Sequence, residues 1–257
     1  MDQLIKEFTK DKLRVKVYAN EKTMGESAAG FVTQQLDWAL KNKGTANLIL
    51  ATGTSQFAFL EALKTKKIDW KNINVFHLDE YIGISDQHPA SFRKYLNERI
   101  LKFIMPGKVY LIKGDAENLE ETLKQYEELL YNHPIDVACI GIGENGHIAF
   151  NDPPVADFND PKLIKIVELD EACRKQQFGE GWFPSLEDVP KVAISLTITA
   201  IMNCRTISCV VPGTRKSSAV YNTLYGPVDT KCPASILREH PNTVLFLDNE
   251  SAPDGRE

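Results

Sequence analysis

At 257 residues, 43% hydrophobic and 25% charged, the chain has the composition of a soluble globular protein with a substantial core. Its 30 basic and 35 acidic residues leave a formal charge of −5 with no dense Lys/Arg patch, so nucleic acid is not an expected partner. No stretch approaches the roughly 18 apolar residues of a membrane span, and Met1-Asp2-Gln3-Leu4-Ile5-Lys6-Glu7 lacks the apolar segment of a signal peptide, so a cytoplasmic protein is expected.

Residues 13–18 are a short β-branched run that predicts a first strand. Across residues 21–42, Met24, Ala28, Val32, Leu36 and Leu40 recur every four positions, widened by Phe31 and Ala39, which predicts a helix with one buried face. Residues 46–51, apolar apart from Asn47, predict a strand that ends in Thr52-Gly53-Thr54-Ser55, with a helix from near Gln56. Residues 73–78 predict another strand, ending in Asp79-Glu80-Tyr81. Pro89 opens a helix bearing Phe92, Tyr95, Leu96, Ile100 and Phe103. A strand over 108–112 precedes a helix over 118–132 with Leu119, Leu123, Tyr126 and Leu130 on one face. The run 135–140 is a buried strand that opens into Gly141-Ile142-Gly143-Glu144-Asn145-Gly146-His147-Ile148-Ala149-Phe150-Asn151-Asp152. Further strands are predicted at 163–169, 192–196, 206–211 and 243–247, with helices near 215–224 and 234–240.

Apolar strands alternating with helices predict an α/β fold, a single doubly wound domain whose mostly parallel sheet carries helices on both faces. Residues 152–190 stand apart, being rich in Pro, Gly, Asp and Glu with weak periodicity, and are expected to form an active-site lid.

Ligands in such sheets bind where strands end and loops begin, which makes four loops candidates. In residues 141–152 three glycines deliver His147 and Asp152 five positions apart, and histidine is the side chain whose unperturbed pKa, roughly 6.5, lies nearest neutrality. The 51–55 loop offers amides at a helix start with glycine and small hydroxyls, which suits a phosphate and equally suits a plain helix cap by Thr54 or Ser55. It is neither a Walker loop nor a dinucleotide fingerprint. Asp79 and Glu80 are neighbours on a strand, so at most one of them enters a given site, as a general base or a loop brace. After Pro212-Gly213-Thr214-Arg215, Lys216 is placed to meet an anion as a point charge. The five histidines show no metal-ligand spacing, and the five scattered cysteines (Cys139, Cys173, Cys204, Cys209, Cys232) form no C-x-x-C pair, so no metal is expected. No G-x-S-x-G elbow supports a serine hydrolase.

Leu78-Asp79-Glu80-Tyr81, His88-Pro89-Ala90-Ser91-Phe92 and residues 141–152 resemble the glucosamine-6-phosphate deaminase/isomerase family. That family shares a Rossmann-like fold with 6-phosphogluconolactonases and ribose-5-phosphate isomerases. The resemblance implies that Asp79 is the base moving a proton between C2 and C1 of an open-chain amino sugar. It implies that His147, supported by Asp152 and the neighbouring Asn145, assists ring opening, and that Gly53, Thr54, Ser55 and Lys216 hold a 6-phosphate. A ketose phosphate and ammonia would result without a metal or organic cofactor. Three positions depart from the family pattern: Asn145 replaces an aspartate, Asp152 a glutamate, and Gln177 before Phe178 an arginine. Arg174, three positions earlier on the same helix face, is expected to stand in for that arginine. Two alternatives stay open: a sugar-phosphate lactonase with His147 as general base, and a non-catalytic sugar-phosphate sensor. The small-molecule substrate is the one partner the resemblance names, and self-association into a homo-oligomer is left open.

Overall fold

Each amphipathic stretch of this chain needs a partner surface, and the central sheet supplies it on both sides. The computed structural model describes residues 4–253; residues 1–3, the first part of the segment read above for a leader, and 254–257 lie outside it. β1 (Leu4–Lys10) pairs antiparallel with β2 (Leu13–Tyr18). α1 (Glu21–Lys43) follows, capped by Asn20, whose side chain accepts from the Thr23 amide, and closed by Gly44 at φ 77°. Next come β3 (Ala46–Leu50), a 3₁₀ turn (Thr54–Gln56), α2 (Phe57–Lys64), β4 (Ile73–His77) and the short β5 (Asp79–Tyr81).

The helix expected from Pro89 starts at Phe92, because Ser91 supplies its cap by accepting from the Lys94 amide. It runs as α3 (Phe92–Leu96), a π turn (Asn97–Leu101) and α4 (Lys102–Ile104). Then follow β6 (Lys108–Tyr110), α5 (Leu119–Asn132), β7 (Val137–Ile140), β8 (Ile164–Glu168) and α6 (Glu171–Gly179). The last third holds β9 (Val192–Leu196), α7 (Ile198–Met202), β10 (Ile207–Val211), α8 (Ser217–Tyr225) and β11 (Thr243–Asp248). The helix expected near 234–240 is a 3₁₀ segment, Pro233–Glu239.

Eight strands form the main sheet in the order β1-β2-β11-β10-β7-β3-β4-β6, parallel except for β1. Successive residues alternate between its faces, as a pleated strand requires. Leu48, Cys139, Val210 and Phe246 pack under α1, α2 and α3, whereas Ile49, Ala138, Val211 and Leu247 pack against α5, α7 and α8. This is the doubly wound arrangement predicted from the apolar runs. Among the described residues no helix is long and apolar enough to cross a membrane.

Four elements lie outside the sequence-based expectation. β1 is largely exposed and polar, and it exists because β2 offers it an edge. β5 has three residues and belongs to a separate antiparallel sheet, β5-β9-β8. α6 buries Cys173, Gln176 and Gln177, so its inner face carries no apolar period to read. α7 is a five-residue helix capped by Thr197. Two of these four, β5 and α6, bear directly on the site. The stretch 152–190 therefore contains a strand, β8, and a helix, α6.

The chain leaves β3 toward β4 and β6 on one side, then returns to place β7, β10 and β11 on the other. The switch point lies between β3 and β7, and the loops after β10, β7, β3 and β4 are consecutive along the sheet. Loops at such a point leave a crevice at the strand ends.

Candidate active site

Two turns of the same build flank that crevice. After β3, Gly53 takes φ 96° and ψ 166° and starts the 3₁₀ turn that leads into α2. After β10, Gly213 takes φ 86° and ψ 150° and starts a 3₁₀ turn (Thr214–Lys216) that leads into α8. That φ range suits glycine, and neither turn receives a side-chain cap, so the first amides of both helices stay available to an anion. Gln56 ties the two turns together, its Nε2 donating to the β10 carbonyl of Val210 at 3.4 Å. Gly53, Ser55 and Lys216 line one cavity at the strand ends, while Thr54 lines an adjoining cavity.

Asp79 enters the same cavity from β5 and is 7% exposed. Among the described residues no donor hydrogen-bonds its carboxyl, and burial together with the neighbouring Glu80 charge holds its pKa well above the ordinary aspartate value. Glu80 points the other way and is fully buried. It accepts from the Phe92 and Arg93 amides, from Ser91 Oγ and from Arg93 Nε. The two neighbours therefore divide as the strand pleat predicts, one into the cavity and one into the frame of α3.

The loop after β7 brings His147 to the cavity wall. Its Nδ1 lies 2.7 Å from Asp152 Oδ1. A carboxylate only accepts, so Nδ1 carries the proton and Nε2 is left as the basic nitrogen. Asp152 is fully buried. Burial pushes its pKa up, but the bonds and charge from His147, the Asn145 amide and the Asp170 backbone N–H outweigh burial and leave it below the ordinary value. Asn145 donates to Asp152 Oδ1 at 2.9 Å and accepts from the His147 amide at 3.0 Å. Neither Asn145 nor Asp152 lines the cavity; both hydrogen-bond to His147, which does. Gly143 allows this approach, since a Cβ there would stand 2.2 Å from His147 Nε2.

The fourth wall comes from α6, where Gln176, Gln177 and Glu180 line the cavity at helical spacing. Gln177 accepts from the Tyr81 hydroxyl at 2.7 Å, and Gln176 accepts from the Glu144 amide at 2.9 Å. Gln176 and Glu180 are absent from the sequence-derived site, because the only signal is a polar stripe that a solvated face would also show. Arg174, expected to hold the phosphate, does not reach the cavity. Its guanidinium donates to the carbonyls of Leu186 and Val189, bracing the turn after α6. Lys216 is left as the lysine or arginine lining the cavity. Burial lowers its pKa, against the raising effect of Glu180 and Glu144.

One group of metal-donor atoms occurs among the described residues: His147, Asp152 and Cys173 offer atoms within 4.8 Å of one another. A cation there would compete with the proton shared by His147 and Asp152. The histidine spacing in the sequence does not reveal this group, because Cys173 comes from α6.

Residues 19–246 match the sequence profile of the glucosamine-6-phosphate isomerases/6-phosphogluconolactonase family. A glucosamine-6-phosphate deaminase of Listeria monocytogenes is 37% identical over 203 residues, 79% of this chain and 85% of that one. One of Bacillus cereus is 34% identical over 216 residues, 84% of this chain and 80% of that one. A solved monomeric glucosamine-6-phosphate deaminase superposes with a TM-score of 0.83 at 30% identity, covering 92% of this chain and 98% of that one. A 6-phosphogluconolactonase of Shewanella baltica superposes with a TM-score of 0.76 at 21% identity, covering 95% and 99%, and shares the fold. With the profile spanning nearly the whole chain and relatives of this identity along most of it, the chain belongs to the glucosamine-6-phosphate isomerase/6-phosphogluconolactonase family.

Proposed function

We propose that this protein is an enzyme that converts glucosamine 6-phosphate and water into fructose 6-phosphate and ammonia. The observation that carries this reading is the Asp79 carboxyl, buried and unpaired in the cavity that His147 also lines, beyond which Gly53, Ser55 and Lys216 form an anion cradle. The relatives named as deaminases support the substrate. The reading takes the whole chain as one catalytic domain, with residues 152–190 as the flap that carries α6 over the cavity. Five free cysteines suit a reducing, cytoplasmic setting.

His147 Nε2 takes the proton of the anomeric hydroxyl as the ring opens and returns it to the ring oxygen. Asp152 keeps the imidazole in the required tautomer, and Asn145 holds Asp152 and the loop backbone in place. The Asp79 carboxylate then removes the C2 proton while O1 gains the proton that the 2-ammonium group gives up, forming an enolamine. Asp79 returns its proton to C1, leaving an iminium at C2. Water adds to that carbon, ammonia leaves, and the ketone forms. An anchored phosphate supplies the orientation such a sequence needs, and one positioned acid–base group contributes roughly 10²–10⁴-fold. No bond-breaking step asks for more than a carboxylate and an imidazole.

Purified protein offered glucosamine 6-phosphate, galactosamine 6-phosphate and 6-phosphogluconolactone in parallel tests this. Ammonia release with the first is expected; acid release from the lactone without ammonia from either amino sugar overturns it.

A further inference from the structure

Charge balance at the cradle is unequal to its ligand. Glu180 is held beside it by two neutral donors, Gln176 Nε2 at 3.0 Å and Trp182 Nε1 at 3.2 Å. Its Oε2 stands 3.7 Å from where a Cβ on Gly53 would sit. Lys216 and Glu180 carry opposite formal charges. The charged side chains of the first cavity that face the cradle therefore bring no surplus positive charge to a phosphate of roughly −1.5 to −2, and only the helix-start amides favour it. With Arg174 committed elsewhere, a second cation has to come from a neighbouring element.

The adjoining cavity holds one. It shares Ser55, Glu180 and Lys216 with the first and is also lined by Glu144 and Arg215. Arg215 Nη2 pairs with Glu144 at 2.6 Å, and the two side chains are 58% and 33% exposed. The same Nη2 stands 3.3 Å from where a Cβ on Gly179 would sit, next to Glu180. An exposed ion pair of this kind contributes little, so exchanging its partner is cheap. A guanidinium also matches phosphate oxygens two at a time.

We propose that Arg215 is a second phosphate-binding residue of this site, held on Glu144 in the free protein and transferred to the phosphate when ligand binds. The proposal rests on the reading of the cradle as a phosphate site. Glu144 competes with the ligand for Arg215, and the Glu180 charge, which opposes that of Lys216, favours the transfer. Because Glu144 meets α6 through its backbone amide, removing its carboxylate leaves that contact in place.

Inorganic phosphate is the probe, titrated into wild type, Arg215→Ala, Glu144→Gln and the double variant, with KM and kcat for glucosamine 6-phosphate measured alongside. Arg215→Ala is expected to weaken phosphate binding and raise KM roughly tenfold or more, with little change in kcat. Glu144→Gln is expected to tighten binding several-fold, and the double variant to match Arg215→Ala. Unchanged phosphate affinity in Arg215→Ala overturns the proposal. So does a Glu144→Gln gain that survives without Arg215, or a wild type that binds no phosphate. If the binding pattern appears but no amino sugar is turned over, the deaminase reading fails and this one stands.

Discussion

Asp79 and Glu80 are consecutive on one three-residue strand, yet Glu80 gathers donors from Ser91, Phe92 and Arg93 while the Asp79 carboxyl faces the cavity with none. Asp79→Asn is expected to lower kcat by roughly 10²–10⁴ with KM little changed, because the amide keeps the shape and loses the base. Assays of ammonia release measure it, and near-wild-type kcat would remove Asp79 from the mechanism.

The same substitution should stabilise the protein at neutral pH. The native Asp79 pKa is raised above its unfolded value, so between the two the native state holds a proton that the unfolded state has lost. Stability from this group is complete below about pH 3.8 and is lost as pH rises through the native pKa. Asp79→Asn removes that penalty, raising Tm by about 2–4 °C for each kcal/mol relieved. A matching signature is expected in activity: the acid limb of the wild-type kcat/KM profile should lie above the ordinary aspartate range and disappear in the variant.

Glu80 should behave in the opposite way. It is fully buried against Arg93, and taking one partner from such a pair costs about 3–5 kcal/mol. Glu80→Ala is expected to lower the urea midpoint sharply, and any remaining folded fraction should retain catalysis per folded molecule. A stability change within about 0.5 kcal/mol, the range of an ordinary surface substitution, would contradict the structural role.

Asp152→Asn tests the tautomer argument. The side chain keeps its size, but Nδ1 of His147 loses the carboxylate 2.7 Å away. A fall in kcat of roughly 10–10³ is expected, smaller than that of His147→Gln, which removes the reacting nitrogen itself. Equal losses in the two variants would mean that Asp152 does more than hold the ring. Because its pKa is lowered, this pair gives stability that is present above the unfolded value and lost only as pH falls through the native one.

Gly143→Ala puts a methyl group 2.2 Å from His147 Nε2, and the ring must move. A displacement of about 1 Å costs on the order of 10² in rate. The stability cost is about 1–3 kcal/mol, so thermal melts and kinetics together separate a displaced catalyst from an unfolded one.

Much of this was legible beforehand, for reasons specific to each element. The runs at β3, β7 and β10 are largely apolar on both sides because helices cover both faces, as in a doubly wound parallel sheet. Gly53, Gly143 and Gly213 follow those runs at turns that need them. The inner face of α6 was illegible because its residues are polar: Gln177 is buried by the Tyr81 hydroxyl, and Gln176 by the Glu144 amide. Their partners lie on β5 and on the loop after β7, far away in the chain. Arg174 satisfied the spacing for a phosphate ligand, yet two carbonyls in the following turn hold it.

The sequence by itself determined the alternation of strands and helices, the loops where chemistry gathers, and the pairing of a histidine with an acid five residues on. Those follow from local periodicity, backbone freedom and side-chain pKa. Tertiary structure alone decided which charges line the cavities. It sent Asp79 into the cavity and Glu80 into the frame of α3, withdrew Arg174, and brought Glu180 and Lys216 to the same cavity with Arg215 lining the next. Electrostatic interactions depend on distance and burial through the folded chain, and neither can be read from residue spacing.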